Sequence, residues 1–486
     1  MPKSQPAKVR TRFAPSPTGF LHVGSVRAAL FPWLVARQNN GRFVLRIEDT
    51  DQTREVSGAT AIIRQTLEWL GIDWDEGPEK GGDFGPYVQS QRAKAGIYLN
   101  WAQKLIDKGL AYADVRTPKE LEALREDAKQ SQRPFLARNY RPQQPTDWRP
   151  GMPLRFRCTP KAYSWHDLIM GDLLAGEAAV DDFILLKSDG MPTYNFAHIV
   201  DDYEMRISHV VRGSEYVSSM PKYLALYEAL AIAPPLFAHA PHVMDADGKK
   251  KLSKRDGAKS VLDYKSQGFL PEAMLNFLAS LGWNDGSEQE IFSAQELINK
   301  FKLERVQKSG ARFDENRLVW LNGQWIRRIG PDELYQKSGP FWPAEADRAN
   351  EAYKKQVLNL VGDRLKTLAD IPMMTRYFFS EPAPDLSLIK NHRQLKELTN
   401  HQLAGLLESA KSALDTSNFT ADDLRSRLTG LLGNTGQKPA VLLGLIRIAV
   451  TWAPFSPELA ATLSLLGKPA VIKRLDGAIS LFRQSP

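Results

Sequence analysis

The stretch from Arg12 to Ser25, which reads RFAPSPTGFLHVGS, constrains the fold of this chain more than any other. An apolar run from Val9 to Phe13 leads into its Pro and Gly cluster, and helical spacing begins at Val26. This order predicts a strand, a tight loop and a helix. Backbone N–H groups at such a helix start lack partners and, with the helix dipole, attract anions such as phosphate. By itself the stretch also fits an ordinary turn with a surface histidine. Other motifs must therefore distinguish this turn from an anion-binding loop.

Composition narrows the class of protein. A chain of 486 residues is too long for one core, and we expect roughly three to five structural units. The net charge of +8 suits a phosphate-rich partner but also a solubilising surface. The single cysteine, Cys158, excludes an internal disulfide framework and a Cys-based zinc cluster, and it favours a reducing, cytoplasmic compartment. We expect neither a secretory signal nor a membrane anchor, because no apolar stretch approaches the roughly 20 residues that span a bilayer.

Strands and helices alternate after the opening stretch. Residues 41–47 read as a buried strand that ends in the acidic run 48–51, and residues 62–70 have helical spacing. This alternation predicts a doubly wound sheet, whose ligands bind at the carboxyl ends of its strands. The sheet is predicted to resume at Phe183, and a strand over 209–213 places Arg212 at its carboxyl end. The long interval predicts an inserted domain, since connections between parallel strands are usually far shorter.

Capping signals mark several helices. Thr117 to Glu120 reads as a capping box with Pro118 at the first helical position. Beyond residue 271 the pattern becomes helical, and the final third is predicted to be an all-α module. Within it, Ser456 is predicted to start a helix that ends at Gly467.

A lysine-rich segment, KKKLSKRD over residues 249–256, is the second chemical landmark. A basic run between turn residues is usually a solvated loop. The alternative is a loop that brings ammonium groups to a triphosphate, where charge develops on the leaving diphosphate.

Five motifs in order carry a resemblance to a known family. They are RFAPSPTGFLHVG (12–24), RIEDTD (46–51), KSDGMPTY (187–194), VDD (200–202) and KLSKR (251–255). On these residues the chain resembles class I aminoacyl-tRNA synthetases and, among them, the bacterial glutamyl-tRNA synthetases. The resemblance implies a multidomain α/β plus all-α fold, in which a Rossmann-like doubly wound parallel sheet is split by an inserted acceptor-binding domain. The implied domains are a catalytic domain in two halves (1–87 and 188–235), the insertion (88–187), a stem-contact domain (236–328) and a helical anticodon-binding domain (329–486).

The resemblance also implies the chemistry. L-glutamate would be activated by ATP, with Mg²⁺, to glutamyl-adenylate and passed to the 3′-terminal adenosine of tRNA(Glu), by a monomeric enzyme. Arginine's fork suits the glutamate side-chain carboxylate, and glutamine would leave such a charge unpaired. The implied catalytic residues are His22, Lys251 and Lys254; those for ATP are Gly19, His22, Gly24, Lys251, Ser253 and Lys254; those for glutamate are Arg12, Ser16, Glu48, Tyr194 and Arg212; and the anticodon contact is Arg364.

Several interpretations remain open at this point. Ser25 stands where the family often has a second histidine, and the role of His198 is unassigned. No zinc site is expected in the insertion, because its one cysteine, Cys158, cannot form the Cys-based zinc module that some relatives carry there. Arg364 fits an exposed helical arginine equally well. A tRNA-independent nucleotidyltransferase, a non-catalytic RNA-binding relative and an enzyme that also glutamylates tRNA(Gln) are the competing functions.

Overall fold

The structure is a computed structural model that describes residues 8–143, 146–253 and 259–484. The chain divides into two compact units, Met1–Tyr264 with Pro271–Glu315, and Lys265–Leu270 with Asn316–Pro486. All strands among the described residues lie in the first unit, and the second is helical. In those residues no helix combines the length and the apolar character that crossing a bilayer requires.

The first unit begins with the predicted strand, loop and helix. Its first elements are β1 (Arg10–Phe13), α1 (Val23–Gln38), β2 (Arg42–Leu45) and α2 (Ala59–Trp69). Helical spacing places Val26, Leu30 and Leu34 on one face of α1, where all three are fully buried. Strands β1 and β2 pair in parallel, so the residues that follow both strands emerge at the same edge.

The next segment carries short helices and a separate antiparallel sheet. Its elements are α3 (Gln89–Lys94), α4 (Ile97–Asp107), β3 (Ala111–Ala113), α5 (Pro118–Gln130), β4 (Leu154–Phe156), β5 (Tyr163–Asp167), β6 (Gly171–Ala175) and β7 (Ile184–Leu186). The capping box of α5 is confirmed, because Thr117 accepts from the Glu120 N–H and Glu120 accepts from the Thr117 N–H. The prediction that the first sheet resumes at Phe183 is wrong, since β7 pairs antiparallel with β4. An apolar run identifies a strand but not its partner.

Four further elements lie near the site, together with the hairpin β5–β6. They are α6 (Tyr194–Glu204), β8 (His209–Gly213), α7 (Met220–Leu230) and β9 (Leu236–Ala240). The sheet order is β6-β5-β9-β8, in which β9 runs parallel to both β5 and β8. Beside β8, the Ser208 N–H donates to the Arg10 carbonyl at 2.9 Å, which joins the start of this sheet to β1.

Five further elements follow β9, and all but the end of α8 belong to the first unit. They are β10 (Val243–Met244), α8 (Val261–Ser266), α9 (Pro271–Ser280), α10 (Ala294–Lys300) and β11 (Ala311–Arg312). Strands β10 and β11 pair in parallel.

The second unit consists of packed helices. They are α11 (Glu315–Ile326), α12 (Pro331–Ser338), α13 (Glu351–Val361), α14 (Ile371–Phe379), α15 (Ser387–Lys390), α16 (Asn400–Asp415), α17 (Ala421–Thr435), α18 (Pro439–Thr451), α19 (Leu459–Leu466) and α20 (Lys468–Gln484). The predicted stop of α19 at Gly467 is confirmed, but its predicted start is wrong. Glu458 caps this helix by accepting from the Ala461 N–H, whereas Ser456 accepts from Arg447.

Candidate active site

The ends of β1 and β8, the residues after β2 and the start of α6 surround a cavity of about 360 Å³. This is the strand edge at which open α/β sheets bind their ligands. Among the predicted site residues, the cavity is lined by Arg12, Ser16, Gly19, His22, Glu48, Tyr194 and Arg212. All five residues predicted to bind glutamate therefore surround one space.

A buried ionic network forms one side of this cavity. Arg12 Nε donates to Asp202 Oδ1 at 3.1 Å, and Arg46 Nη1 donates to the same oxygen at 2.7 Å. Arg46 Nη2 also donates to Glu48 Oε1 at 2.8 Å. None of the four side chains is more than 5% exposed. Arg46 and Asp202, to which the sequence analysis gave no role, thus hold Arg12 and Glu48 in place.

Burial and ion pairing act in opposite directions on the pKa values of this network. Burial alone would raise the pKa of Asp202, but Arg12 and Arg46 hold it well below its usual range. Burial prevails over Arg46 at Glu48, so the pKa of this carboxyl is raised. Burial would lower the pKa of Arg46, yet the carboxylates around it raise that pKa instead. Asp202 and Arg46 are consequently a fixed pair of opposite charges at neutral pH.

Arg212 lies on another side of the cavity, among aromatic rings. Its guanidinium is 4.8 Å from the Tyr216 ring centroid and 5.0 Å from that of Tyr223. Nε donates to His239 Nε2 at 3.1 Å and Nη2 points to Met220 Sδ at 3.2 Å. The described residues offer no acceptor to the buried Nη1. An unsatisfied buried guanidinium N–H is costly, and a ligand carboxylate is the group that best satisfies it.

Tyr194, which lines the cavity, packs against His198. Their rings stack at 4.7 Å, and His198 Nδ1 contacts the Tyr194 carbonyl oxygen at 2.7 Å. Burial, followed by the charge of Arg212, lowers the pKa of His198 to about 3. Burial raises the pKa of Tyr194, so its hydroxyl keeps its proton. His198 is therefore a neutral ring, and Nδ1 is its donor to the carbonyl.

His22 caps α1. Its Nδ1 accepts from the Gly24 N–H at 3.0 Å, so the expectation that the N–H groups of this helix start lack partners is wrong for Gly24. A Cβ at position 24 would stand 3.0 Å from His22 Cε1, and a larger residue would push the imidazole away. In the loop before it, Gly19 has a φ of +115°, a conformation that glycine adopts more readily than any other residue.

A smaller neighbouring cavity has a volume of about 180 Å³. Lys251, the first predicted site residue of the lysine-rich segment, lies in its wall. His22, Gly24, Arg212 and Lys251 all line it. Lys251 Nζ donates to Glu215 Oε1 at 2.9 Å, in a pair that is 48% and 41% exposed. Ser253 is absent from the lining of both cavities. Lys254 lies outside the described residues.

Arg364 belongs to the second unit. It ends a short 3₁₀ turn, Gly362–Arg364, and is exposed. Burial and the charge of Arg364 lower the pKa of Arg447, which identifies two neighbouring cations. Arg447 Nε donates to Ser456 Oγ at 2.8 Å.

Two known protein families match consecutive regions of the chain. The family described as "tRNA synthetases class I (E and Q), catalytic domain" matches residues 8–320, and "Anticodon binding domain" matches residues 333–479. The first match contains both cavities, and the second contains Arg364. A catalytic domain with parallel strands followed by a largely helical anticodon-binding region is the composition of a class I tRNA synthetase, a class that uses ATP.

Curated relatives cover nearly the whole chain. A glutamate–tRNA ligase of Dehalococcoides mccartyi is 39% identical over 99% of each chain, and one of Moorella thermoacetica is 40% identical over 98% of this chain and 99% of its own. A crystal structure of a glutamate tRNA ligase from Elizabethkingia meningosepticum, in complex with its amino acid, is 32% identical, with a TM-score of 0.86 over 97% of this chain and 99% of that one. The chain belongs to the glutamate–tRNA ligase family, as its motifs indicated, and its activity is that of a glutamate–tRNA ligase.

Proposed function

We propose that the enzyme activates L-glutamate with ATP to glutamyl-adenylate and transfers the glutamyl group to the 3′-terminal adenosine of tRNA(Glu), releasing AMP and diphosphate. The observation that carries this proposal is the larger cavity, where Arg12 and the incompletely paired Arg212 both form part of the wall. A side-chain carboxylate between two guanidiniums gains charge-assisted hydrogen bonds. A glutamine amide leaves one buried charge without compensation, at a cost of several kcal/mol.

The other end of glutamate is assigned to polar groups of the same wall. Glu48 and Ser16 receive the α-ammonium group, and the Tyr194 hydroxyl donates to the side-chain carboxylate. The position of Glu48 supports this role, because Arg46 fixes the carboxylate on the cavity wall with a 2.8 Å hydrogen bond. The α-carboxylate is then left to react.

The smaller cavity suits the phosphates of ATP. An α-carboxylate oxygen of glutamate attacks the α-phosphorus while the bond to diphosphate breaks, so the residues must position and stabilise charge rather than form a covalent intermediate. His22 contacts the reacting phosphate, and Lys251 exchanges its Glu215 partner for a phosphate oxygen. Lys254 supplies a second ammonium group. Backbone groups of Gly19 and Gly24 and the hydroxyl of Ser253 complete the ATP contacts.

Mg²⁺ is proposed to enter with the nucleotide. In the described residues, no three His, Cys, Asp or Glu side chains are grouped as a metal site would require. Mg²⁺ commonly binds substrate phosphates and keeps several waters, so a triphosphate can carry the ion without a protein cage. The ion would neutralise phosphate charge during attack.

Each domain is proposed to contact a different part of the tRNA. We assign residues 88–187 to the acceptor end, 236–328 to the stem and 329–486 to the anticodon, on a catalytic domain formed by 1–87 and 188–235. In the last region, the two neighbouring cations Arg364 and Arg447 favour an anionic or base-edge partner, and arginine pairs well with guanine and phosphate. We propose a monomer restricted to tRNA(Glu).

One charging experiment tests these assignments. Purified enzyme is given labelled glutamate or glutamine with separate transcripts of bacterial tRNA(Glu) and tRNA(Gln), and we expect only tRNA(Glu) to receive glutamate. Arg364→Gln should raise the KM for tRNA(Glu) about tenfold, the effect of losing one good base or phosphate contact. The exposed Arg393, in the same unit, provides the control Arg393→Gln. Glutamylation of tRNA(Gln) would overturn the restriction, and failure to glutamylate tRNA(Glu) would overturn the function itself.

A further inference from the structure

The partner that orients Arg212 is a buried histidine on the adjacent strand. Strands β8 and β9 run in parallel register, with Arg212 opposite His239. Neighbouring positions of parallel strands direct their side chains to the same face, which brings Arg212 Nε within 3.1 Å of His239 Nε2. His239 is fully buried, and neither cavity described above includes it in its wall.

The hydrogen bond from Arg212 dictates where the proton of His239 lies. A guanidinium nitrogen can only donate, so His239 Nε2 must present its lone pair. The imidazole proton is then on Nδ1, which lies 2.5 Å from Asp167 Oδ2. Burial lowers the pKa of His239, which favours the neutral ring. The direction of each hydrogen bond follows: Arg212 donates to His239, and His239 donates to Asp167.

Asp167 is itself fixed by the backbone. Its Oδ1 accepts from the N–H groups of Ile169, Met170 and His239 at 2.9 to 3.1 Å. Burial would raise the pKa of this carboxyl, but the His239 hydrogen bond and the backbone donors hold it below its usual range. Asp167 ends β5, the hairpin strand that pairs with β9, so the carboxylate is a rigid anchor.

We infer that Asp167 and His239 are positioning residues for the known reaction. Through one defined imidazole tautomer they hold the guanidinium of Arg212 so that its unpaired Nη1 is available to the side-chain carboxylate of glutamate. This inference rests on the glutamate-binding role proposed for Arg212. Neither residue lines either of the two cavities.

Asp167→Asn tests the tautomer with little change of shape. The three backbone N–H groups require an oxygen at the Oδ1 position, so the new amide nitrogen faces His239 Nδ1. That nitrogen donates, the imidazole proton moves to Nε2, and two N–H groups then oppose each other at Arg212. We expect the KM for glutamate to rise about 10- to 100-fold, as for a lost charge-assisted hydrogen bond, and the KM for ATP to stay within about twofold. Both are measured by glutamylation with saturating tRNA(Glu).

His239 variants add a rescue test. His239→Phe keeps a ring but removes the acceptor, and we expect it to raise the glutamate KM like Asp167→Asn. His239→Gln restores an acceptor for Arg212 and should recover part of the affinity. The double variant Asp167→Asn/His239→Phe should be no worse than His239→Phe, because both changes act through one chain of hydrogen bonds. If His239→Phe fails to fold, the glutamate KM values of Asp167→Asn and His239→Gln test the positioning role instead.

The same hairpin offers matched controls. His166 and Asp172 also form a pair, at 2.7 Å, but they are 64% and 93% exposed. His166→Phe and Asp172→Asn should leave both KM values unchanged. Equal increases of the glutamate and ATP KM values in Asp167→Asn would indicate general damage and overturn the inference. Arg212→Met distinguishes the glutamate-binding role of Arg212 from the positioning role of Asp167 and His239. If this variant leaves the glutamate KM unchanged, the role of Arg212 itself is wrong. If it raises that KM while Asp167→Asn and His239→Phe do not, only the positioning role fails.

Discussion

The two cavities of the catalytic unit are built in different ways. Around the larger one, Arg12, Arg46, Glu48 and Asp202 are almost completely buried and hold one another through hydrogen bonds of 2.7 to 3.1 Å. In the smaller one, Lys251 is about half exposed, and so is Glu215, the carboxylate with which it pairs. The first arrangement is assembled when the chain folds, whereas the second leaves its cation accessible.

This difference fits two kinds of recognition. A small amino acid must be distinguished from near neighbours, and fixed charges in a site of low dielectric discriminate well because an unmatched group is costly there. A triphosphate needs positive charge close to the place where negative charge develops on the leaving group, and an accessible ammonium group can be reached by it. We therefore expect substitutions near the larger cavity to change stability and substitutions near the smaller one to change rate.

Arg46→Met should produce the largest effect. It removes the partner of two buried carboxylates, and breaking a buried ion pair typically lowers the free energy of unfolding by about 3–5 kcal/mol. Chemical denaturation monitored on the first unit measures this. Arg42→Met, at the start of β2, the strand that Arg46 directly follows, is the control, because Arg42 is 51% exposed in its pair with Asp75. Equal losses in the two variants would contradict the contrast between the cavities.

Lys251→Ala should act on rate instead. Removing one cation from the neighbourhood of the developing phosphate charge should slow adenylate formation about 10²-fold. The free energy of unfolding should change by less than about 1 kcal/mol, as for an exposed ion pair. Glutamate-dependent exchange of labelled diphosphate into ATP, with tRNA(Glu) present, reports the rate. Lys250→Ala, at the exposed neighbouring position, should retain normal exchange. A normal rate in Lys251→Ala would exclude this lysine from the reaction.

His198 should give the smallest effect, a difference in pH dependence. Its pKa falls from 6.5 to about 3 on burial, so between these pH values the unfolded chain binds a proton that the folded chain does not. Stability therefore falls as pH falls, by up to about 1.4 kcal/mol per pH unit from this group. His198→Asn should flatten the slope between pH 7 and pH 5, and the exposed His401→Asn should not. Parallel slopes for the wild type and His198→Asn would show that burial does not control this group.

The sequence predicted the framework of the site well. The strand, loop and helix from Arg10 to Gln38 follow directly from local spacing, and every residue predicted to bind glutamate lines one cavity. These features depend on periodicity and on the strand edge at which ligands bind, both of which can be read locally. The roles assigned to all of the site residues remain predictions, and for Ser253, Lys254 and Arg364 neither cavity supplies support.

The supporting residues could not be predicted in the same way. In α6, Val200, Asp201 and Asp202 are consecutive and all buried, so no polar face indicated which carboxylate would reach Arg12. Arg46 fell within the predicted buried strand 41–47, and nothing in the local pattern indicated its distant partner Asp202. The sequence also did not show which strands pair with each other, as the wrong prediction for β7 illustrates. The alignment of Arg212 with His239 depends on such pairing and was therefore not predicted.

The shared carboxylate of Asp202 has a consequence for the order of folding. It lies 190 residues after Arg12 and 156 after Arg46, so neither arginine has this counter-ion when the N-terminal strands leave the ribosome. Early burial would leave Arg12 without the carboxylate it pairs with, and Arg46 with Glu48 but without Asp202, at a cost in a nonpolar interior. The amino-acid cavity must therefore close late, after the intervening segment has been synthesised and α6 has docked, and a truncated chain that ends before α6 cannot form it.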